Sequence, residues 1–150
     1  MKYAILVLML FLVSCNQNTT NKNKTETVSA ASINNTNKCE NCNIELIKKI
    51  STNHAVKTKD GKIHHFCSIN CLAEKWDDLK EDIDSVFVID VRTKEFIPAA
   101  KAHYVIRAPF GETKETTAYA YKELEYANRF KKDFWGKEIT NFNKALSEVK

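Results

Sequence analysis

Four of the five cysteines stand in two pairs, and these pairs constrain the fold more than any other feature of the sequence. Cys39 and Cys42 form a Cys-x-x-Cys pair, and Cys67 and Cys71 stand where a helix is predicted to begin. A Cys-x-x-Cys turn lets two thiolates converge on one ion, and a pair at a helix start places both sulfurs on one side of the first turn. A hairpin predicted between the pairs folds them back onto each other. The pattern therefore predicts a site for one soft metal ion.

Three other interpretations of these cysteines remain open at this point. Disulfides form in oxidising compartments, so two disulfides could cross-link a small domain. A structural zinc ion could also hold the domain together through four thiolates. A thiol–disulfide redox protein is the third alternative, although no thioredoxin-like βαβ pattern surrounds the Cys-x-x-Cys pair.

Residues 1–14 are predicted to be a signal peptide. Lys2 precedes an apolar run over residues 3–13. As a helix this run would be about 16 Å long, too short for a hydrocarbon core of about 30 Å. The following Leu-Val-Ser-Cys resembles a bacterial lipobox, which implies cleavage before Cys15 and lipidation of that residue. We therefore expect a lipid-anchored protein on the cell membrane that faces the periplasm or another extracytoplasmic space.

Residues 15–37 are predicted to be a disordered tether, and residues 38–150 a single metal-binding domain. The tether is rich in Asn, Thr, Lys and Ser and has little apolar surface to offset its ordering entropy. The formal net charge of +4 is small and the basic residues are scattered, so we expect no nucleic-acid partner. No nucleophile–base pair, phosphate-binding loop or paired carboxylates can be picked out, so we do not expect an enzyme.

Alternation and turn residues predict an antiparallel α+β domain. The order strand, strand, helix, strand occurs once over residues 54–91 and again over residues 104–142, which suggests two ββαβ-like units with antiparallel sheets. Ser68 is a suitable N-cap for the first helix, and Leu124, Ala127 and Phe130 or Phe134 are predicted to face inward from the second. The predicted strands lie at 53–59, 62–67, 86–91, 95–97, 104–107, 116–121 and 137–142. The first helix follows Ser68 with Leu72, Trp76 and Leu79 as its apolar stripe, and further helices are predicted at 122–134 and 144–149.

The first hairpin contributes two candidate histidine ligands. Asp60-Gly61 suits a two-residue type I′ turn, which would set His54 opposite Cys67. Alternation would then place His54, His65 and Cys67 on one face of the sheet and His64 on the other, although a shift of one residue would invert this. We therefore add His54 and His65 to the four cysteines as candidate ligands. His64 and His103 are expected to be surface residues.

The order of these motifs resembles the accessory lipoproteins of nitrous-oxide reductase, the NosL family. The resemblance rests on the lipobox, the tether, the Cys-x-x-Cys head and a series of short motifs. These motifs lie at residues 39–42, 54–55, 60–61, 66, 86–90, 99–105 and 118–121. The resemblance implies a fold of two ββαβ units and a copper chaperone that binds Cu(I) outside the cytoplasm and supplies it to the reductase of denitrification. The implied partners are apo nitrous-oxide reductase or its maturation machinery.

Three positions depart from the family pattern. Ile44 and Phe110 stand where family members carry methionines, and the two methionines of the chain, Met1 and Met9, would leave with the signal peptide. Cys67 stands where an acidic residue is usual, and the segment Phe-Cys-Ser-Ile-Asn-Cys that contains it also resembles Cys-rich heavy-metal-binding modules. Because a site of four thiolates suits zinc as well as Cu(I), we expect Cu(I) and keep zinc as the alternative.

Overall fold

The computed structural model describes residues 38–111 and 114–149. The predicted signal peptide, the lipidation of Cys15 and the tether lie outside these residues. The helices and strands are β1 His54–Thr58, β2 Ile63–Phe66, α1 Ile69–Leu79, β3 Ile83–Ile89, β4 Phe96–Pro98, β5 His103–Arg107, β6 Thr117–Tyr121, α2 Leu124–Asp133, β7 Glu138–Thr140 and α3 Phe142–Glu148. Short 3-10 helices occupy Leu46–Thr52 and Ala99–Lys101. Within the described residues, every helix is too short or too polar to span a bilayer.

The strands form two antiparallel sheets, one in each half of the domain. The first has the order β2-β1-β3-β4, and the second has the order β6-β5-β7. In each half a hairpin is followed by a helix and by a strand that returns to pair with the first strand of the hairpin. The predicted α+β class with two ββαβ-like units is therefore confirmed.

One hydrophobic core joins the two halves. On β5 the side chains alternate, so that Tyr104 and Ile106 face this shared core while Val105 packs against Ala127 of α2. A parallel bridge between Asp90, which directly follows β3, and Ala120 of β6 connects the two sheets. The two ββαβ units therefore share one interior, and elements of one can position the other.

The predicted register of the first hairpin is wrong by one residue. In the structure His54 pairs with Phe66 and Val56 pairs with His64. Because side chains alternate along a strand, this shift inverts the faces of β2 relative to the prediction. His54 therefore shares its face with His64 and Phe66, and not with His65.

The cause is a loop of three residues where two were predicted. Gly61 has a φ of +87°, but Asp60 is not in the left-handed region that a type I′ turn requires at both central positions. The Asp60 carboxylate accepts hydrogen bonds from the Thr58 hydroxyl and from the Lys62 amide. The Thr58 amide donates to the Lys62 carbonyl at 2.9 Å, which closes the longer loop.

The second helix is shorter than predicted, and Leu124 and Phe134, at its two ends, are exposed. Ala127 is buried and Phe130 packs against the sheet, as predicted. Leu124, however, is exposed, because it is the first helical residue and a helical side chain points back towards the N-terminus, away from the sheet. Phe134 follows the last helical residue and is also exposed.

Candidate metal centre

The four cysteines of the domain converge on one point. Their Sγ atoms all lie within 4.8 Å of one another, and Cys67 Sγ lies 3.5 Å from the sulfurs of both Cys42 and Cys71. None of these four cysteines is in a disulfide bond. Four sulfurs bound tetrahedrally to one zinc ion at about 2.3 Å would be about 3.8 Å apart. The sulfurs are thus close enough to bind one ion after small side-chain movements.

A tight loop holds the first pair. The Cys39 amide donates to the Ile44 carbonyl at 2.8 Å, and the Asn43 amide donates to the Cys39 carbonyl at 2.9 Å. Asn43 has a φ of +61°, a conformation that Asn tolerates better than most residues. The Glu40 amide donates to the His65 carbonyl at 2.9 Å, so this loop is fixed to β2. These backbone hydrogen bonds therefore fix the position of Cys39 and Cys42 relative to β2.

The start of α1 positions the second pair. Cys67 directly follows β2, and its carbonyl accepts a hydrogen bond of 2.7 Å from the Thr52 hydroxyl. The Ser68 hydroxyl accepts from the Cys71 amide at 3.3 Å, which confirms the predicted N-cap. Cys71 consequently lies in the first helical turn, where unpaired amides and the helix dipole favour an anionic sulfur.

The cluster is closed on one side and open on the other. Cys39 and Cys67 are buried, Cys71 is partly buried, and Cys42 is exposed. The open side borders a cavity of about 380 Å³, whose lining includes Cys42, Cys67, Cys71, Asn41, Lys49, Glu74, Glu115 and Tyr119. A ligand from another molecule can therefore approach the sulfurs through this cavity, next to Cys42.

The protonation of the cluster is uneven. The pKa of Cys71 is lowered to about 5, chiefly because the Cys67 thiol donates a hydrogen bond to its sulfur. The same hydrogen bond, together with burial, raises the pKa of Cys67. Desolvation raises the pKa of Cys42. At neutral pH the metal-free cluster therefore carries a thiolate on Cys71 and protons on Cys42 and Cys67, and these protons must leave when a metal binds.

His54 lies away from the sulfurs and is engaged by other groups. It is completely buried, its Nδ1 lies 2.9 Å from the Thr52 carbonyl, and its Nε2 lies 3.3 Å from the Tyr104 hydroxyl. The carbonyl can only accept, so Nδ1 carries the proton and Nε2 accepts from Tyr104. Burial lowers the pKa of His54 to about 4, which keeps the ring neutral. The structure thus gives both ring nitrogens a partner other than a metal ion.

The structure does not bring His65 into the cluster either. Among the described residues, the group that could hold a metal consists of the four cysteines alone. His65 contacts Phe96, and its buried Nδ1 has no hydrogen-bond partner. His64 Nδ1 lies within hydrogen-bond distance of the Glu40 carboxylate at 2.7 Å, and His64 and His103 are both partly buried, so both are less exposed than predicted.

Two polar residues beside the sulfurs were not predicted. The Asn41 side-chain amide donates to the Glu74 carboxylate at 2.5 Å, and a hydrogen bond involving Asn41 also lowers the pKa of Cys71. Asn41 lies inside the Cys-x-x-Cys pair, so its proximity to the sulfurs could have been inferred. Glu74 stands three residues after Cys71, a spacing that places both on one side of a helix.

Comparison with known proteins places the chain in a family. The crystal structure of the copper chaperone NosL from Shewanella denitrificans has a similar fold, with a TM-score of 0.59 and 20% sequence identity over 75% of this chain and 91% of that chain. No curated protein matches the sequence. The NosL family profile matches residues 30–149, which is most of the chain. The chain therefore belongs to the NosL family.

Proposed function

We propose that this protein is a copper chaperone that binds Cu(I) at Cys39, Cys42, Cys67 and Cys71 and passes it to another protein. The observation that carries this proposal is the convergence of four thiols, with all sulfurs within 4.8 Å, at a cluster that is open on one side. Cu(I) is a soft ion that favours thiolate ligands. The NosL family and the copper chaperone of similar fold support the same metal.

Transfer proceeds by ligand exchange at the open side. A sulfur or nitrogen ligand of the acceptor enters the cavity beside Cys42 and forms a bond to Cu(I), while the bond from Cu(I) to Cys42 breaks. The buried thiolates of Cys39 and Cys67 hold the ion until further acceptor ligands replace them. Because the ion is never released to solvent, the transfer requires contact between the two proteins.

A structural zinc site is the second candidate, because four thiolates form the usual ligand set of such sites. Anaerobic titration of the reduced protein with Cu(I), in the presence of a competing Cu(I) chelator, separates the two functions. A carrier takes up one Cu(I) per chain and displaces zinc, and Cys42→Ser weakens Cu(I) binding without unfolding the domain. Tight zinc that Cu(I) does not displace, or collapse of the fold in metal-free protein, would contradict the carrier function.

His65→Gln provides a matched control for that titration. His65 lies outside the sulfur group, so its replacement should leave the Cu(I) affinity unchanged. A clear loss of affinity in this variant would show that an imidazole binds the ion and that the proposed ligand set is incomplete.

The acceptor in this proposal is apo nitrous-oxide reductase or its maturation machinery. Support comes from the resemblance of the motif order to the accessory lipoproteins of nitrous-oxide reductase, together with membership of the NosL family. Mixing the Cu(I)-loaded protein with the apo reductase under anaerobic conditions, followed by separation and copper analysis, tests the assignment. Copper should move to the reductase faster from the protein than from a Cu(I)–chelator complex of equal affinity, and equal rates would contradict a dedicated chaperone.

The proposal includes a lipid anchor at Cys15, with the domain outside the cytoplasm and tethered to the cell membrane. Its support is the apolar run that ends in Leu-Val-Ser-Cys and the polar residues that follow. Mass spectrometry of the mature N-terminus should find acyl chains on Cys15. A Cys15→Ser protein should carry no acyl chains, and finding an unmodified Cys15 in the wild type would refute the anchor.

A further inference from the structure

Three aromatic side chains are exposed together near the C-terminal end of α2. Phe110, Phe134 and Trp135, which we call the aromatic ridge, are 58%, 51% and 73% exposed. The rings of Phe110 and Trp135 are 5.4 Å apart, and Phe134 stacks on the half-buried Phe130 at 4.7 Å. Because Trp135 contacts Phe110 and directly follows Phe134 in the chain, these exposed rings are not scattered singly, and the ridge is a candidate binding surface.

The backbone at Trp135 is unfavourable for the residue it carries. Trp135 has a φ of +53°, a conformation that usually requires glycine and is an outlier for a bulky residue. The amide of the next residue, Gly136, donates to the Lys131 carbonyl at 2.9 Å, as in a helix end where glycine commonly stands at the position of Trp135. The fold therefore tolerates an exposed indole where a glycine would be less strained, which indicates a role other than stability.

Several basic side chains lie beside the aromatic ridge. Lys131 and Lys132 occupy the last turn of α2, and the Arg107 guanidinium lies 5.2 Å from the centre of the Phe110 ring. Two described acidic residues close to these lysines already have basic partners: Asp133 pairs with Arg129 at 3.9 Å, and Glu138 pairs with Lys144 at 2.6 Å. Aromatic rings flanked by basic side chains suit the boundary between the headgroups and acyl chains of an anionic bilayer.

We propose that the aromatic ridge docks the domain on the anionic membrane that holds its lipid anchor. This inference rests on the anchor proposed at Cys15. The 22 residues between Cys15 and the described domain could reach at most about 75 Å even if fully extended, so an anchored domain stays close to the membrane and weak contacts suffice. Trp135 and Phe134 enter the boundary region, while Lys131, Lys132 and Arg107 contact lipid phosphates.

Fluorescence quenching by brominated lipids tests the docking on the lipidated protein itself. Trp76→Phe leaves Trp135 as the single tryptophan, since the sequence contains two. The protein is purified with its anchor and reconstituted into vesicles of phosphatidylethanolamine and phosphatidylglycerol, with or without bromine on the upper acyl chain. Docking predicts a blue-shifted Trp135 emission that the bromolipid quenches about twofold or more, because the ring is buried about 5–10 Å into the boundary.

Variants distinguish docking through the aromatic ridge from a nonspecific attraction between lysines anywhere on the domain and anionic lipid. Each lysine near an anionic surface contributes about fivefold to binding. The double variant Lys131→Gln with Lys132→Gln should therefore weaken docking about 25-fold, and the bromolipid should quench its Trp135 emission much less. Lys75→Gln with Lys80→Gln on α1 is the matched control and should change nothing. Trp135→Gly should fold with an unchanged or higher melting temperature, and a large fall would show that the indole serves stability and overturn the inference.

Flotation with the vesicles, scored separately, reports the anchor. Protein that floats but shows the same Trp135 emission with and without bromolipid overturns the docking and leaves the anchor intact. Protein that does not float refutes the anchor and the docking together. If the Trp135 emission shifts to the blue only when another protein is added, and does so without anionic lipid, the ridge binds a protein partner and the membrane inference is overturned.

Discussion

The buried His54 makes the stability of the domain depend on pH in a direction that the structure fixes. Its pKa falls from 6.5 to about 4 because burial disfavours the imidazolium. The unfolded chain therefore binds a proton between pH 6.5 and 4 that the folded chain does not bind. The resulting destabilisation is negligible well above pH 6.5 and grows as the pH falls. At pH 4 it lowers the free energy of unfolding by about 3 kcal/mol.

The assay compares reduced, metal-free wild type with His54→Gln by urea denaturation between pH 4 and 7.5. All other groups titrate in both proteins, so the difference between the two free energies of unfolding isolates His54. The wild type should lose about 3 kcal/mol more than the variant between pH 7 and 4. A pH-independent difference would refute the argument, because it would mean that His54 is as accessible to protons in the folded domain as in the unfolded chain.

Three further predictions follow from the described contacts. Ultraviolet thiolate absorbance of the reduced, metal-free protein should titrate near the Cys71 pKa of about 5, and Cys67→Ala should move that inflection upward; a flat absorbance from pH 4 to 8 would contradict the thiolate. Gly136→Ala would place a methyl group 2.5 Å from Val105 Cγ1, so denaturation should show a loss of about 1–3 kcal/mol, and an unchanged melting temperature would exclude the clash. Leu72→Ala removes a fully buried side chain and should cost about 2–5 kcal/mol, whereas a smaller loss would mean that the core relaxes to fill the space.

The meeting of the cysteine pairs could be predicted because it does not depend on the strand register. Cys67 lies just beyond the end of β2, and Cys71 is placed by the helix that Ser68 caps. Cys39 is fixed by its own loop, which binds to the backbone of β2. The spacing of the pairs and the presence of a hairpin were therefore sufficient to bring the sulfurs near each other.

The histidines required more than the sequence pattern could supply. Their predicted faces depended on a two-residue loop, and the loop length was decided by the hydrogen bonds of the Thr58 and Asp60 side chains. The partner that engages His54 Nε2 is Tyr104, which stands fifty residues later and belongs to the other ββαβ unit. Contacts between the units, such as the bridge from Asp90 to Ala120, leave no periodic signal in the sequence.

X-ray absorption spectroscopy at the copper edge, on anaerobically Cu(I)-loaded protein, tests the proposed site most directly. The structure brings Cys39, Cys42, Cys67 and Cys71 together and gives His54 other partners, so we expect one copper per chain that is bound only by sulfur. A nitrogen scatterer at bonding distance, or a protein that takes up no Cu(I), would contradict it.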